Sequence, residues 1–224
     1  GRFVLASCDN LYPPGHVAGL IALHASQALD GALTLMWAAR DEATSSAVVR
    51  LQDDLVKGII EKPHLDDIPL YDSSNRALTA PSLYALSSPV LDLLPRVSRS
   101  PRGEFEFPSL LGLWIAEGAR LGGRTVETRW TLTRPVDLLE LNLHLLRTDP
   151  SCCTIDSDLP QTVTVMPMVR VEPGASVGAG SRLGPQVYLE DGSCVGPRAV
   201  VRRSVVLRGS CVEAGQILDG AVVG

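Results

Sequence analysis

The sequence predicts an α/β domain followed by a solenoid of short parallel strands, and three observations carry that prediction. Up to about residue 150, stretches of helix periodicity alternate with short apolar runs. Beyond that point the helix signal stops and an aliphatic residue returns every six positions. Between them lies a polar, proline-bearing joint, Arg147 to Thr162, containing Asp149-Pro150, Ser151 and Pro160. Residues 1–148 therefore read as one domain, 149–162 as a linker and 163–224 as a second domain.

Composition sets the outer limits. The 224 residues are 45% hydrophobic and 20% charged, which suits packed domains and not a disordered chain. A net charge of −5 leaves no broad basic surface, so no nucleic acid is expected as a partner. The longest apolar stretch, Val17 to Ala39, is interrupted by His24, Ser26, Gln27 and Asp30, and predicts no membrane span. The opening Gly-Arg-Phe-Val-Leu-Ala has the pattern of neither a signal nor a transit peptide. Five cysteines, with Cys152 and Cys153 adjacent and no CxxC, argue against a disulfide framework and against zinc, so a cytoplasmic location is expected.

The elements of the first domain follow in order. Phe3 to Ala6 reads as a strand emptying into the polar turn Ser7-Cys8-Asp9-Asn10. Pro13-Pro14-Gly15 leads into a helix whose apolar face is Val17, Leu20, Ile21, His24 and Ala28, with His24 a satisfied core histidine. Ala32 to Trp37 is the next strand. Ala47 to Ile60 is a hairpin turning through Gln52-Asp53-Asp54 and ending in the charged corner Glu61-Lys62-Pro63. Prolines 89, 108 and 135 open helices running to Leu94, Leu121 and Leu146. Gly122-Gly123 stops the second of these, whose stripe of Leu110, Leu111, Trp114 and Ile115 makes Trp114 a core residue. Ser98 to Arg102 reads as a short basic loop.

In the second domain Val165, Val171, Val177, Leu183, Leu189, Val195, Val201 and Leu207 recur at intervals of six. Four places after each of the last seven stands a small or β-branched residue, Ala175 through Cys211. Each hexapeptide then forms a strand and a turn, with one aliphatic and one small side chain pointing into a narrow prism. Gly174, Gly178, Gly180, Gly184, Gly192 and Gly196 take turn positions that are crowded or need a positive φ. The beat slips after Leu207, where Glu213 and Asp219 occupy aliphatic positions while Val212 and Leu218 keep time one place earlier. Val200, Val206 and Val222 are expected to face outward and to support a homo-oligomer through the solenoid.

This segment resembles the hexapeptide-repeat left-handed parallel β-helix. Some members of that class are acyltransferases with a histidine base, but His16, His24, His64 and His144 all precede the repeat, which leaves acyl transfer the weakest alternative. The first 148 residues are similar to the sugar-1-phosphate nucleotidylyltransferases. The resemblance rests on a strand ending in Cys8-Asp9-Asn10, a hairpin ending in Gly58-Ile59-Ile60-Glu61-Lys62-Pro63, an Asn75-Arg76-Ala77 segment, Gly103-Glu104-Phe105-Glu106-Phe107, and Trp130 leading through Pro135 to Asp137. A hexapeptide β-helix behind such a domain is a familiar arrangement of that family.

The resemblance implies a partial Rossmann-like nucleotidyltransferase domain and a reaction in which a sugar 1-phosphate attacks the α-phosphorus of a nucleoside triphosphate and releases pyrophosphate. It implies a magnesium ion held by Asp9, a catalytic role for Asp9 and Lys62, sugar phosphate on Lys62, sugar hydroxyls on Glu61, and further sugar contacts from Asn75 and Glu104. The departures are equally specific. The family's glycine-rich, triphosphate-binding loop is absent from these residues, so the domain reads as N-terminally incomplete and this chain alone as inactive. Thr131 stands where a second metal aspartate is expected, Cys8 and Ser46 replace family glycines, and Ala77 replaces the glycine of an Asn-x-Gly. The alternative is a non-catalytic relative that binds an NDP-sugar and serves a regulatory or scaffolding role.

Overall fold

A computed structural model of the chain describes residues 1–26, 28–69 and 74–224; Gln27, one of the polar interruptions noted above, lies outside them. The chain divides into two compact units, Gly1–Arg129 and Trp130–Gly224. Among the described residues no helix is long and apolar enough to cross a membrane.

The first unit runs β1 (Arg2–Ala6), β2 (Asn10–Leu11), α1 (His16–Ser26), β3 (Gly31–Ala39), β4 (Ala47–Gln52), β5 (Leu55–Glu61), β6 (Arg76–Thr79), β7 (Leu83–Ser87), α2 (Phe107–Ala116) and β8 (Leu121–Thr125). Seven strands form one mixed sheet in the order β1-β7-β3-β6-β4-β5-β8, and β8 also pairs with β3. That second pairing is parallel, whereas the other pairings of the sheet are antiparallel. The core beneath it gathers Leu33, Val49, Leu78, Leu86, Leu111 and Trp114.

Local chemistry explains most of these elements. The β4–β5 hairpin turns on Asp53 and Asp54, both at positive φ, which matches the right-handed twist of its strands. Pro108 sits in the first turn of α2, where its missing N–H costs nothing.

Four expectations are corrected. The inward face of α1 is His16, Leu20 and His24, while Val17 and Ile21 are 39% and 46% exposed. Two histidines are accommodated inside because each has a hydroxyl partner, His16 Nε2 with Thr34 Oγ1 and His24 Nε2 with Ser87 Oγ, both at 3.0 Å. The segment opened by Pro89 is a 3-10 helix, Ser88–Arg96. Helix α2 ends at Ala116, with Gly118 at positive φ just beyond. Gly122 and Gly123 instead lie inside β8 as close-approach residues: a Cβ on Gly123 would stand 2.1 Å from Leu35 Cδ1, and one on Gly122 2.6 Å from Leu29 Cδ1. Strands β6 and β7 show no alternation that would mark them in the sequence, because their residues are almost all buried.

The second unit holds β9 (Trp130–Thr131), α3 (Pro135–Thr148) and a parallel solenoid of about three turns. Its strands are β10 (Thr164–Val165), β11 (Val169–Val171), β12 (Ser176–Val177), β13 (Arg182–Leu183), β14 (Val187–Leu189), β15 (Cys194–Val195), β16 (Val200–Arg202), β17 (Ser204–Val206), β18 (Cys211–Val212), β19 (Ile217–Asp219) and β20 (Val222–Val223). They stack as three sheets, β10-β13-β16-β19, β11-β14-β17-β20 and β12-β15-β18. Helix α3 packs on the second of these sheets and is fixed there by Gln186 Nε2, which donates to Leu143 O at 3.1 Å.

The repeat glycines fall into the two expected kinds. Gly174, Gly180, Gly184 and Gly192 have positive φ. Gly178 and Gly196 do not, but a Cβ on them would meet the backbone N of Pro197 at 2.4 Å and of Ala214 at 2.5 Å in the next coil.

The slip in the beat lies earlier than expected. Leu183 pairs with Val201, eighteen residues on, but Leu189 pairs with Val206, seventeen on, and later pairings keep seventeen. One residue is therefore lost at the corner after Val201, where Arg203 takes a positive φ of 47°. Its guanidinium forks onto Asp219 at 2.8 and 2.7 Å, and Arg202 Nε adds a contact of 2.9 Å. Asp219 is thus an outward anchor for the shortened corner. Val206, expected to face outward, is instead fully buried in the solenoid core.

Cys194 and Cys211, directly opposite each other on β15 and β18, form a disulfide. The odd cysteine count argued against such a bridge; stacking at a seventeen-residue offset brings the pair together. The case for a reducing compartment loses its premise accordingly.

Candidate functional site

A cleft of about 740 Å³ opens where β5 runs into Pro63, between that corner, the 98–102 loop and α2. Glu61, Lys62, Arg102 and Glu106 line it. Lys62 Nζ lies 4.0 Å from Glu61 Oε1, and Arg102 Nη2 lies 4.0 Å from the same oxygen and 2.6 Å from Glu106 Oε1. The ammonium of Lys62 is about half exposed, while Glu61 is largely enclosed, with 18% of its side chain accessible.

Backbone geometry fixes the corner. Lys62 has φ of 44°, a left-handed conformation unusual for a lysine and further disfavoured by the proline that follows, held by its N–H donating to Ser46 O at 3.0 Å. Burial is the main reason the Glu61 carboxyl is raised above the usual carboxylate range; Lys62 and Arg102 oppose the rise, and Glu106 and Glu104 add to it. Tyr84, deeply buried on β7, has its phenol pushed to about 12, chiefly by burial, with Glu61 and Tyr12 contributing.

The remaining sequence-derived residues are distributed as follows. Asp9 lies in the turn after β1, half-buried, accepting a 2.6 Å hydrogen bond from Ser7 Oγ. Its charge raises the Tyr12 phenol, on which burial is the largest influence. Asp9 does not line the cleft, yet the sheet brings it to the same end of the unit. Ser7 N–H donates to Ser82 O, Ala80 N–H donates to Ala47 O, and Ala47 faces Glu61 across the hairpin, so the ends of β1 and β5 flank the β6–β7 connection. Asn75 is exposed at the start of β6, with φ of 53° and its carbonyl accepting from Arg40 N–H. It is not part of the cleft lining. Glu104 is exposed and outside the lining, within electrostatic reach of Glu61. Thr131 belongs to the second unit.

Among the described residues the protein by itself builds no enclosed magnesium cage. Asp9 offers one carboxylate with an oxygen already engaged by Ser7, and among the described residues no three His, Cys, Asp or Glu side chains are grouped to hold a metal.

Sequence reasoning missed Arg102 and Glu106. Glu106 had a readable signal, since it immediately precedes α2, where a negative charge suits the helix N-terminus, and stands close after Arg102, with which it pairs. The arrangement can bind a phosphorylated, hydroxylated small molecule: an accessible ammonium for the anion, enclosed carboxylates as hydroxyl acceptors and a guanidinium between them. No family model matches the chain, and no curated protein matches it.

Proposed function

We propose that the chain carries the sugar-phosphate-binding part of a sugar-1-phosphate nucleotidylyltransferase, with its left-handed β-helix behind a partial Rossmann-like domain. The observation that carries this reading is the convergence of Glu61, Lys62, Arg102 and Glu106 in one cleft at the end of β5. Lys62 receives the phosphate, Glu61 accepts sugar hydroxyls, and Arg102 holds Glu106 and Glu61 in place between them. In the complete reaction a phosphate oxygen attacks the α-phosphorus of a nucleoside triphosphate, a new P–O bond forms, and the bond to the β-phosphate breaks to release pyrophosphate. The part of that reaction assigned to these residues is to bind and orient the nucleophile.

A second reading, binding of a sugar phosphate or NDP-sugar without turnover, is favoured by the departures from the family pattern at Cys8, Ser46, Ala77 and Thr131. Calorimetry of the chain with glucose, galactose, mannose and N-acetylglucosamine 1-phosphates, against inorganic phosphate, tests the shared part. At least one sugar phosphate binds more tightly than phosphate, and Lys62→Met weakens it about ten- to a hundred-fold, the worth of a charge-assisted contact. No preference over inorganic phosphate for any sugar overturns the proposal. Pyrophosphate release with magnesium and a panel of triphosphates then separates the two readings.

A further inference from the structure

A second cavity of about 460 Å³ adjoins the polar cleft. The two share Ile59, Ile60, Asp67, Gly112 and Ala116, so they form one continuous groove along β5 and α2. The chemistry changes along it. The polar end carries Glu61, Lys62, Arg102 and Glu106, whereas the annex is walled by Val48, Ile59, Ile60, Ile115 and Ala116, with Arg50 and Lys57 at its rim. Ile60 is 52% exposed although it stands beside buried Val48, and glycines on both walls, Gly58 on β5 and Gly112 on α2, keep the space open. A Cβ at Gly112 would meet only Ile59 O at 3.9 Å, and one at Gly58 only Arg50 atoms at 3.9 Å or more. Both positions thus have room for a side chain, and neither has the positive φ that would demand glycine. No packing need explains them.

Resting on the reading of the polar cleft as a sugar-phosphate site, we infer that the annex receives an apolar acyl substituent of the same ligand, longer than an acetyl group, and that the ligand class is an acylated sugar phosphate. Continuity with the cleft ties the occupant to the same ligand: the annex shares Ile59, Ile60, Asp67, Gly112 and Ala116 with the cleft and opens beside Glu61, the next residue on β5. An acetyl group would leave most of a cavity of that size unfilled.

Isothermal calorimetry with glucosamine 1-phosphate carrying N-acetyl or N-hexanoyl groups provides the test. The hexanoyl compound binds at least tenfold more tightly than the acetyl compound. Gly58→Leu, which fills the annex and lines no part of the polar cleft, abolishes that gain while leaving acetyl-compound affinity and thermal midpoint within error. Equal affinity for the two compounds, or a gain that survives Gly58→Leu, overturns the inference and leaves the sugar-phosphate reading standing. Failure of both compounds, and of the simple sugar 1-phosphates, to bind overturns both.

Discussion

Replacing Lys62 by glycine should separate what this residue does for the ligand from what it does to the fold. Its φ of 44° places a side-chain-bearing residue in the left-handed region, which costs about 1–3 kcal/mol. Glycine removes that strain but restores about 0.5–1 kcal/mol of unfolded-state entropy. Alanine removes the ammonium and keeps the strain. The Lys62–Glu61 contact at 4.0 Å, half exposed, is worth well under about 1 kcal/mol and is lost in both variants. Glycine should therefore exceed alanine by about 1 kcal/mol, or about half a molar in the urea midpoint for a slope near 2 kcal/mol per molar. Both should lose sugar-phosphate affinity by about ten- to a hundred-fold. Fluorescence-monitored urea unfolding and calorimetry read the two quantities independently. Equal midpoints for the two variants would refute the argument from backbone strain; wild-type affinity in either would refute the assignment of the phosphate to this ammonium.

Other outcomes follow from the same geometry. Gly196→Ala drives a methyl to 2.5 Å from Ala214 N and should cost about 1–3 kcal/mol or more in thermal unfolding. Gly209→Ala, with φ of 72° but open space around it, should cost only about 1 kcal/mol. Reducing the Cys194–Cys211 bridge, which spans 17 residues, should lower solenoid stability by up to about 3 kcal/mol, measurable by unfolding with and without a thiol reductant. Glu61 sets a pH dependence. Because its carboxyl is raised in the fold, the folded state holds the proton more tightly than the unfolded chain, so its stabilising contribution is full below about pH 4.5 and is lost as pH rises through the folded value. Glu61→Gln should accordingly be more stable than wild type at neutral pH and lose that advantage in acid, read by urea unfolding across pH; a stability profile in the variant identical to wild type would refute the raised carboxyl.

The solenoid was the most legible part of the chain because its period is set by packing one residue per coil edge into a narrow prism. Even there the sequence misled at one corner. Asp219 looked like a broken aliphatic position, and only the pairing of Leu189 with Val206 shows that the count had already changed at Arg203. In the first unit, the apolar pairs Val48-Val49 and Ile59-Ile60 on either side of the polar turn Gln52-Asp53-Asp54 marked the β4–β5 hairpin. Alternation could not reveal β7, in which Leu83, Tyr84, Ala85 and Leu86 are all buried and no period survives. Gly122-Gly123 read as a helix stop because sequence does not distinguish a glycine needed for its dihedral from one needed for closeness. Of the site, Glu61 and Lys62 were recoverable from one dense motif, whereas Arg102 enters the cleft only through a loop whose path no local pattern dictates.

The polar corner is expensive, and that expense is itself the argument for function. Lys62 sits in a strained backbone region, Glu61 is enclosed far enough that burial raises its carboxyl, and Glu106 places a second acid close enough to raise it further. Any one of these is compatible with structural accident, since ion pairs and odd dihedrals occur throughout folded proteins. Here three unfavourable choices, two adjacent in sequence and one brought in by the fold, line the same cleft of about 740 Å³. The Asp9 turn lacks this signature: its carboxylate accepts a hydrogen bond from Ser7 Oγ and lies outside the cleft lining. The physical weight of the site therefore lies on the β5 side, which is why ligand binding at Lys62, rather than metal binding at Asp9, is the measurement on which the functional assignment turns.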